Sequence, residues 1–215
     1  MKKLYLAALF GFIGLISVAQ ASDPDAKKIL DGVSAKFKAF KTVQVTFTYS
    51  VVNSSGKILS TKKGIITMKG TKYRVSFSGQ EIFCDGSTIW NYDKAANEVT
   101  ISKLDESNGS LTPQKVFSDF YDKDFLYKLN GEQKQGTKIL QEIEMTPKDK
   151  TKNFHKVYVL IDKKANTIYS TKVIENTNDS YSYVVTSMKT NQVVADNQFT
   201  FDKSKYPGVE EIDNR

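Results

Sequence analysis

Cysteine and histidine each occur once, as Cys84 and His155, and proline occurs four times in a chain of 215 residues. A single cysteine excludes an intramolecular disulfide and a cysteine-based metal centre. A single histidine excludes a His–His zinc site. Arginine is nearly absent too: only Arg74 and Arg215 are present, so 29 of the 31 basic residues are lysine, spread along the chain and interleaved with acids. Base-edge and phosphate recognition lean on the guanidinium fork, so the net charge of +7 reads as a lysine-rich solvated surface and no nucleic-acid partner is expected. No metal or cofactor is expected either. With 40% hydrophobic and 26% charged residues the chain is globular, being too apolar for disorder and too polar for several membrane spans. Its length suits one domain of ordinary size, or at most two small ones.

Long hydrophobic runs are also missing, with one partial exception. Lys2 and Lys3 precede an apolar run from Leu4 to Val18, which ends in Ala19-Gln20-Ala21. Those 15 residues fall short of the roughly 20 that span a bilayer. Charged start, apolar stretch and small-residue site together make a secretory signal. Cleavage is expected after Ala21, giving a mature single domain of residues 22–215 with net charge +5. No cysteine lies near the cleavage point, so an exported, soluble protein is expected.

Periodicity organises the mature chain. Residues 23–41 read as an amphipathic helix: Ser22 or Asp23 caps it, Pro24 sits in the first turn, and Ala26, Ile29, Leu30, Val33, Phe37 and Phe40 recur at helical spacing. The period then switches to two, with Val43, Val45, Phe47, Tyr49 and Val51 alternating against polar residues. Asn53-Ser54-Ser55-Gly56 turns the chain, Ile66 and Met68 alternate, and Lys69-Gly70-Thr71 leads into Tyr73, Val75 and Phe77. Asp85-Gly86 predicts a hairpin between Glu81–Cys84 and Ser87–Tyr92, since both central positions favour positive φ. Glu98–Lys103 follows as a strand, then a loop at 105–110. Thr112-Pro113 starts a short helix with Val116, Phe117, Phe120 and Tyr121. Further strand patterns occupy 125–129, 138–146, 155–162, 167–175, 181–190 and 198–202, with turns at Asn130-Gly131 and Asn178-Asp179. The expectation is an α+β fold, one antiparallel sheet of about ten strands with few helices. So little helix leaves the concave face of a half-barrel either partly empty, as an apolar cavity, or filled by the 25 aromatic side chains.

Specific residues resemble the periplasmic lipoprotein carrier family called LolA. The stretch Asp85-Gly86-Ser87-Thr88-Ile89-Trp90-Asn91-Tyr92 is similar to the family's Asp-Gly-x-Thr-x-Trp-x-Tyr segment. Phe47-Thr48, Gly64, Thr146-Pro147-Lys148, Phe199-Thr200-Phe201 and Pro207-Gly208-Val209 fall in the family's order. The resemblance covers essentially the whole mature chain. It implies an incomplete antiparallel β half-barrel, covered by an N-terminal helix and a short lid helix, that encloses an apolar cavity for lipoprotein acyl chains. It also implies a periplasmic chaperone, not an enzyme, with acylated lipoproteins as cargo, an inner-membrane lipoprotein-releasing ABC transporter as donor and an outer-membrane acceptor. A monomer is expected. Strand alternation and the family's register together nominate Phe47, Tyr49, Val51, Ile66, Met68, Tyr73, Val75, Phe77 and Trp90 for the cavity wall. Val116, Phe117 and Phe120 are nominated for the apolar side of the lid.

Two departures from the family stand out. After Tyr92 the chain reads Asp93 where the family has Asn-Pro, and the turn after Gly64 reads Lys69-Gly70-Thr71 where the family often has Lys-Arg-Pro. The family's arginine helps to latch the lid, and Lys69 or Arg74 is the candidate substitute here. Alternative functions are a LolA-like binding protein for another lipid or glycolipid, an envelope sensor, and an exported hydrolase using Asp122/Asp124 or Glu142/Glu144, i,i+2 carboxylate pairs that on a strand would share one face. Cys84 reads as a small buried hydrophobe, and His155 as structural or exposed.

Overall fold

The computed structural model describes residues 22–105, 112–118 and 121–215. The expected signal peptide, most of the loop expected at 105–110 and Phe120 lie outside the described residues, as does the side chain of Val116.

Asp23 starts the fold by serving two elements at once. Its Oδ1 accepts hydrogen bonds from Asp25 N at 2.8 Å and Ala26 N at 3.3 Å, capping helix α1 (Pro24–Lys38), whose first N–H groups have no partner inside the helix. Its Oδ2 accepts from Leu129 N at 3.0 Å, and its own N–H donates to Tyr127 O at 3.0 Å. The Leu129 bond is the main reason its carboxyl is held below the usual range. One side chain therefore fixes both where α1 begins and which strand it lies against.

The strands are β1 (Thr42–Val52), β2 (Ile58–Lys69), β3 (Lys72–Phe77), β4 (Gln80–Cys84), β5 (Thr88–Asp93) and β6 (Glu98–Lys103). Two short helices follow, α2 (Pro113–Ser118) and α3 (Tyr121–Asp124). Then come β7 (Phe125–Gln135), β8 (Lys138–Pro147), β9 (Phe154–Asp162), β10 (Thr167–Glu175), β11 (Ser180–Thr190) and β12 (Glu210–Asp213). All twelve belong to one open, unclosed sheet of order β12-β6-β5-β4-β3-β2-β1-β11-β10-β9-β8-β7. Every neighbouring pair is antiparallel except β12, which runs parallel to β6. No helix among the described residues is long and apolar enough to cross a membrane.

Twelve strands replace the expected ten or so, and three local readings change. Asn130-Gly131 does not turn the chain: pairing passes from Leu129↔Ile143 to Gly131↔Glu142, so Asn130 is the extra residue of a bulge and β7 continues to Gln135. Gly131, at φ +126°, supplies the conformation that the bulge needs. The strand expected at 198–202 is instead a 3₁₀ turn, Asp196–Phe199, with Phe199 fully buried. β12 has the sequence Glu-Glu-Ile-Asp, without apolar alternation. The Asp85-Gly86 hairpin forms as expected, but only Gly86 takes positive φ, while Asp85 Oδ1 accepts from Ser87 N and Thr88 N.

Three apolar clusters make the core. On the inner face, α1 lays Ala26, Leu30 and Val33 over β7–β10, against Tyr127, Ile143, Met145, Val157, Val159 and Ile161. The inner face of β1–β4 carries a second cluster around Val43, Val45, Phe47, Met68, Tyr73 and Cys84. The third lies on the outer face, where the segment after β11 covers β4–β6 with Phe201, Tyr206 and Val209 on Trp90, Tyr92 and Val99. Ion pairs from Asp196 to Lys69 at 2.7 Å and Lys72 at 2.9 Å hold that segment to the β2–β3 turn and lower the Asp196 carboxyl to about 2.

Gly64 sits in the middle of β2, opposite Phe47 of β1. A Cβ there would lie 2.3 Å from the Phe47 ring, so the glycine is the seat of that ring. Gly64→Ala is expected to lower unfolding free energy in urea by about 1–3 kcal/mol, the usual cost of overpacking. Pairing it with Phe47→Leu should recover part of the loss; an unchanged midpoint would mean the ring has room to shift.

Candidate functional site

β1 is the axis of the inner face, because it pairs with β2 on one side and β11 on the other. Phe47 lies opposite Gly64 and Val185, Tyr49 opposite Lys62 and Tyr183, and Val51 opposite Ser60 and Tyr181. Phe77 continues the surface across β3, its ring 5.7 Å from Phe47 and edge-on to Tyr49 at 5.5 Å. Tyr183 stacks obliquely on Tyr49 at 5.0 Å and lies 6.0 Å from Phe47. Five contiguous rings, Phe47, Tyr49, Phe77, Tyr181 and Tyr183, thus floor one end of a trough. Phe47 is buried, whereas Tyr183 is 40% exposed, and no described helix covers this end.

The other end is closed by helices. Phe37 of α1 stacks on Phe117 of α2, with centroids 5.1 Å apart and planes 11° from parallel. The enclosed space there, bounded by Val33, Phe37, Phe40, Phe117 and Met188, is only about 10 Å³. The apolar cavity implied by the family resemblance is therefore not open at this end, because the rings fill it. Two clefts flank that packed wall. One of about 230 Å³ is lined by Phe37, Phe40, Met68, Gly70 and Gln114. Another of about 520 Å³ is lined by Phe40, Ile168, Val185 and Met188, with Lys36 and Asp162. Phe40 borders all three spaces, so displacing Phe117 and its neighbours would join them. The joined space would be of the size of a small-molecule pocket, roughly 300–1,000 Å³.

α2 is held down by a contact the sequence did not disclose. Gln114 Nε2 donates to Gly70 O at 3.0 Å and to Lys72 O at 3.1 Å, which ties the lid to the β2–β3 turn. Its Oε1 is buried and has no hydrogen-bond partner among the described residues. The candidate substitutes for a latching arginine point elsewhere: Lys69 pairs with Asp196, and Arg74 pairs with Glu81 at 2.5 Å on the outer face while lying 4.6 Å over the Phe83 ring.

The structure gathers eight of the twelve nominated residues into one cluster: Phe47, Tyr49, Ile66, Met68, Tyr73, Val75, Phe77 and Phe117. Val51 shares their face at the end of β1. Trp90 does not join them, since it sits in the outer-face cluster with Tyr92 and Phe201. Val116 lies in α2 with its side chain outside the description, and Phe120 lies outside it altogether. The same wall contains residues that were not nominated, chiefly Phe37, Phe40, Ile82, Val185 and Met188, with Tyr181 and Tyr183 stacked against Tyr49. The alternation of Tyr181, Tyr183 and Val185 was visible in the sequence, but its pairing with β1 was not.

Among the other groups singled out, Cys84 is fully buried opposite Tyr73, and His155 is exposed. Burial pushes the Tyr73 phenol up. Glu142 and Glu144 lie on the outer face, bonded to Asn130, Gln133 and Lys156. Asp122 accepts from Tyr127 Oη at 3.2 Å.

A sequence profile described as the outer membrane lipoprotein carrier protein LolA matches residues 38–202. Two proteins named outer-membrane lipoprotein carrier protein, from Cupriavidus taiwanensis and Cupriavidus necator, are each 31% identical to the chain over 154 and 153 residues, spanning 71% of it and 68% of their own length. Among solved structures, an uncharacterized conserved protein from Thermus thermophilus superposes with a TM-score of 0.61 at 13% identity, covering 88% of this chain and 99% of its own. That likeness concerns the fold.

If Gln114 holds the lid, Gln114→Ala should speed amide hydrogen exchange in residues 112–118 several-fold while moving global stability by no more than about 1 kcal/mol, the net worth of such bonds. Exchange–mass spectrometry reads this directly. Unchanged exchange would place the latch elsewhere.

Proposed function

The chain belongs to the LolA family of outer-membrane lipoprotein carrier proteins, and from that premise we propose that it is a periplasmic chaperone carrying lipoproteins from the inner to the outer membrane. The observation that supports this reading most is the largely apolar inner face across β3, β2, β1 and β11, closed by α1 and α2 at one end and uncovered by any described helix at the other. The nominated wall residues, from Phe47 to Phe117, would bear the acyl chains. Residues 1–21 would direct export and be removed, leaving residues 22–215 as a single working domain. Cargo would arrive from an inner-membrane lipoprotein-releasing ABC transporter and leave to an outer-membrane acceptor, and the carrier would act as a monomer without bond chemistry.

The physical task is transfer. Burying one 16-carbon chain is worth on the order of 12 kcal/mol at roughly 0.8 per CH₂, so a lipoprotein does not cross water unaided. The carrier has to offer comparable burial and still let go. An acyl chain entering at the five rings would reach the packed wall of Phe37, Phe40 and Phe117, and burial gained there would drive the lid away from the turn. Differential burial in the open and closed states then sets the affinity. The Lys62 ammonium at the open end favours a second reading, in which the trough also takes another lipid.

Two measurements test the carrier reading. Crosslinked mature protein from periplasm should copurify with acylated lipoproteins and release them to added outer membranes; recovery of no acylated partner would sink it. Tyr183→Glu, at an exposed wall position, should stay folded yet bind lipoprotein at least about tenfold more weakly, since losing the ring's burial is worth roughly 1.5–3 kcal/mol. Phe47 and Tyr73 are buried in the core, so the same change there would test folding instead.

A further inference from the structure

The charges of the molecule are not distributed evenly. Between Gly32 and Gln80 the chain carries nine lysines and arginines and no aspartate or glutamate, contrary to the interleaving read from the whole sequence. Strands β1, β2 and β3 fall within that stretch. Several of its cations are spoken for: Lys69, Lys72 and Arg74 by carboxylates and Lys36 by Ala165 O. Lys62 is different. It lies directly across from Tyr49, and on β1–β4 and β11 it is the one charged side chain that alternation assigns to the inner face. Its Nζ donates to Ser78 Oγ at 2.6 Å and pairs with no carboxylate among the described residues. An ammonium has three donors, so two remain for a ligand.

Its surroundings are donors as well. The hydroxyls of Tyr49 and Tyr183 have no hydrogen-bond partner among the described residues. Burial raises the Tyr183 phenol, so it stays a proton donor. Two acids on the flanking elements are committed: Glu175, on β10 and three strands from Lys62, accepts from Tyr181 Oη at 2.8 Å, and burial together with that bond pushes the phenol up to about 12. Asp179, in the turn before β11, accepts from Ser54 N. A cation and two hydroxyls without a partner among the described residues therefore lie on one cross-strand row, Lys62-Tyr49-Tyr183, at the end of the trough that no described helix covers, an arrangement suited to an amphiphile with an anionic, oxygen-rich head.

We propose that Lys62, with the Tyr49 and Tyr183 hydroxyls, holds the anionic head of an acyl ligand at this rim, so that the trough takes acyl chains bearing a carboxylate or phosphate in addition to lipoproteins. The inference rests on the trough being an acyl-chain site. A pair of probes separates the two ideas: cis-parinaric acid and its methyl ester share one fluorescent chain and differ only in head charge. The mature protein is expected to bind the acid at least about threefold more tightly than the ester, the range for an exposed charge-assisted contact. Lys62→Gln should bring the two affinities together by weakening the acid alone, and Lys62→Arg should keep the difference. Displacement of parinarate by palmitate or by lysophosphatidate then tells carboxylate from phosphate as the preferred head. Equal affinities in the unaltered protein, or a difference that survives Lys62→Gln, would overturn the role of Lys62 and leave the trough intact. Failure of both probes to bind would overturn the acyl-chain site along with it.

Discussion

The apolar inner face of this sheet needs more cover than the described helices supply, and most of the structure follows from that shortage. α1 is 15 residues long and protects β7–β10. Among the described residues, Phe37 and Phe40 at and after the end of α1, Leu104, and Phe117 of the six-residue α2 cover the inner face of β1–β4, leaving the rings of Tyr49, Phe77, Tyr181 and Tyr183 half-covered. A sheet face of this kind exposed to water is ordinarily a binding surface or an aggregation hazard. Here the rings pack on one another, with centroids 5.0–6.4 Å apart, in tilted and edge-on arrangements that aromatic quadrupoles favour. That self-contact hides part of each ring but does not fill the trough. A flexible apolar ligand would complete it.

Cover is also where the energetics are finely balanced. The two bonds from Gln114 to the Gly70 and Lys72 carbonyls contribute about 1–3 kcal/mol together, at roughly 0.5–1.5 each. The buried, unpaired Oε1 of the same side chain costs about 1–3 kcal/mol. The net polar contribution to lid closure is therefore small, enough to slow opening several-fold at most, and the contact of Phe117 with Phe37 holds α2 alongside it. An acyl chain can replace that contact with its own apolar surface. A latching arginine would leave no unpaired acceptor in its place, since guanidinium carries donors only. A glutamine gives a more easily released lid. Lys69 and Lys72 are meanwhile engaged by Asp196, so the turn that receives the lid is anchored to the outer-face segment and does not move with it.

Local pattern made much of this legible. The helical spacing of Ala26, Leu30 and Val33 and the alternation of Val43, Val45, Phe47 and Tyr49 are intrinsic to one element each, and both gave the right buried faces. Long-range placement was beyond it. β11 pairs with β1 across about 140 residues of chain, so Tyr181, Tyr183 and Val185 could be read as a strand but not as the other wall of the trough. Trp90 illustrates the same limit in reverse. Its strand was correctly read, but a segment more than 100 residues later covers its outer face, so the tryptophan turns from the trough toward Phe201 and Tyr206. Asn130-Gly131 misled for a local reason: one dipeptide suits a turn or a bulge, and β8 as partner selects the bulge. β12 has no apolar signal because it is an exposed edge, paired with the β6 backbone and tied at Glu211 to Lys203.

The two ends of the trough thus have separate physical roles. At the open end, partly exposed rings and an ammonium without a carboxylate partner among the described residues would meet a ligand first, and little would have to be rearranged for contact to begin. At the closed end, Phe37, Phe40 and Phe117 occupy the volume that a long chain would claim, so deeper entry requires displacing the lid. Capture of an acyl chain would then depend on surface already exposed, and retention on surface exposed only by opening. This division lets affinity be high for chains long enough to reach the lid and low for short ones, with no change at the rim. Under the proposed function, release would be a matter of reclosing the Phe37–Phe117 contact, so an acceptor drawing the chain outward would be helped by the protein's own tendency to fold back on itself.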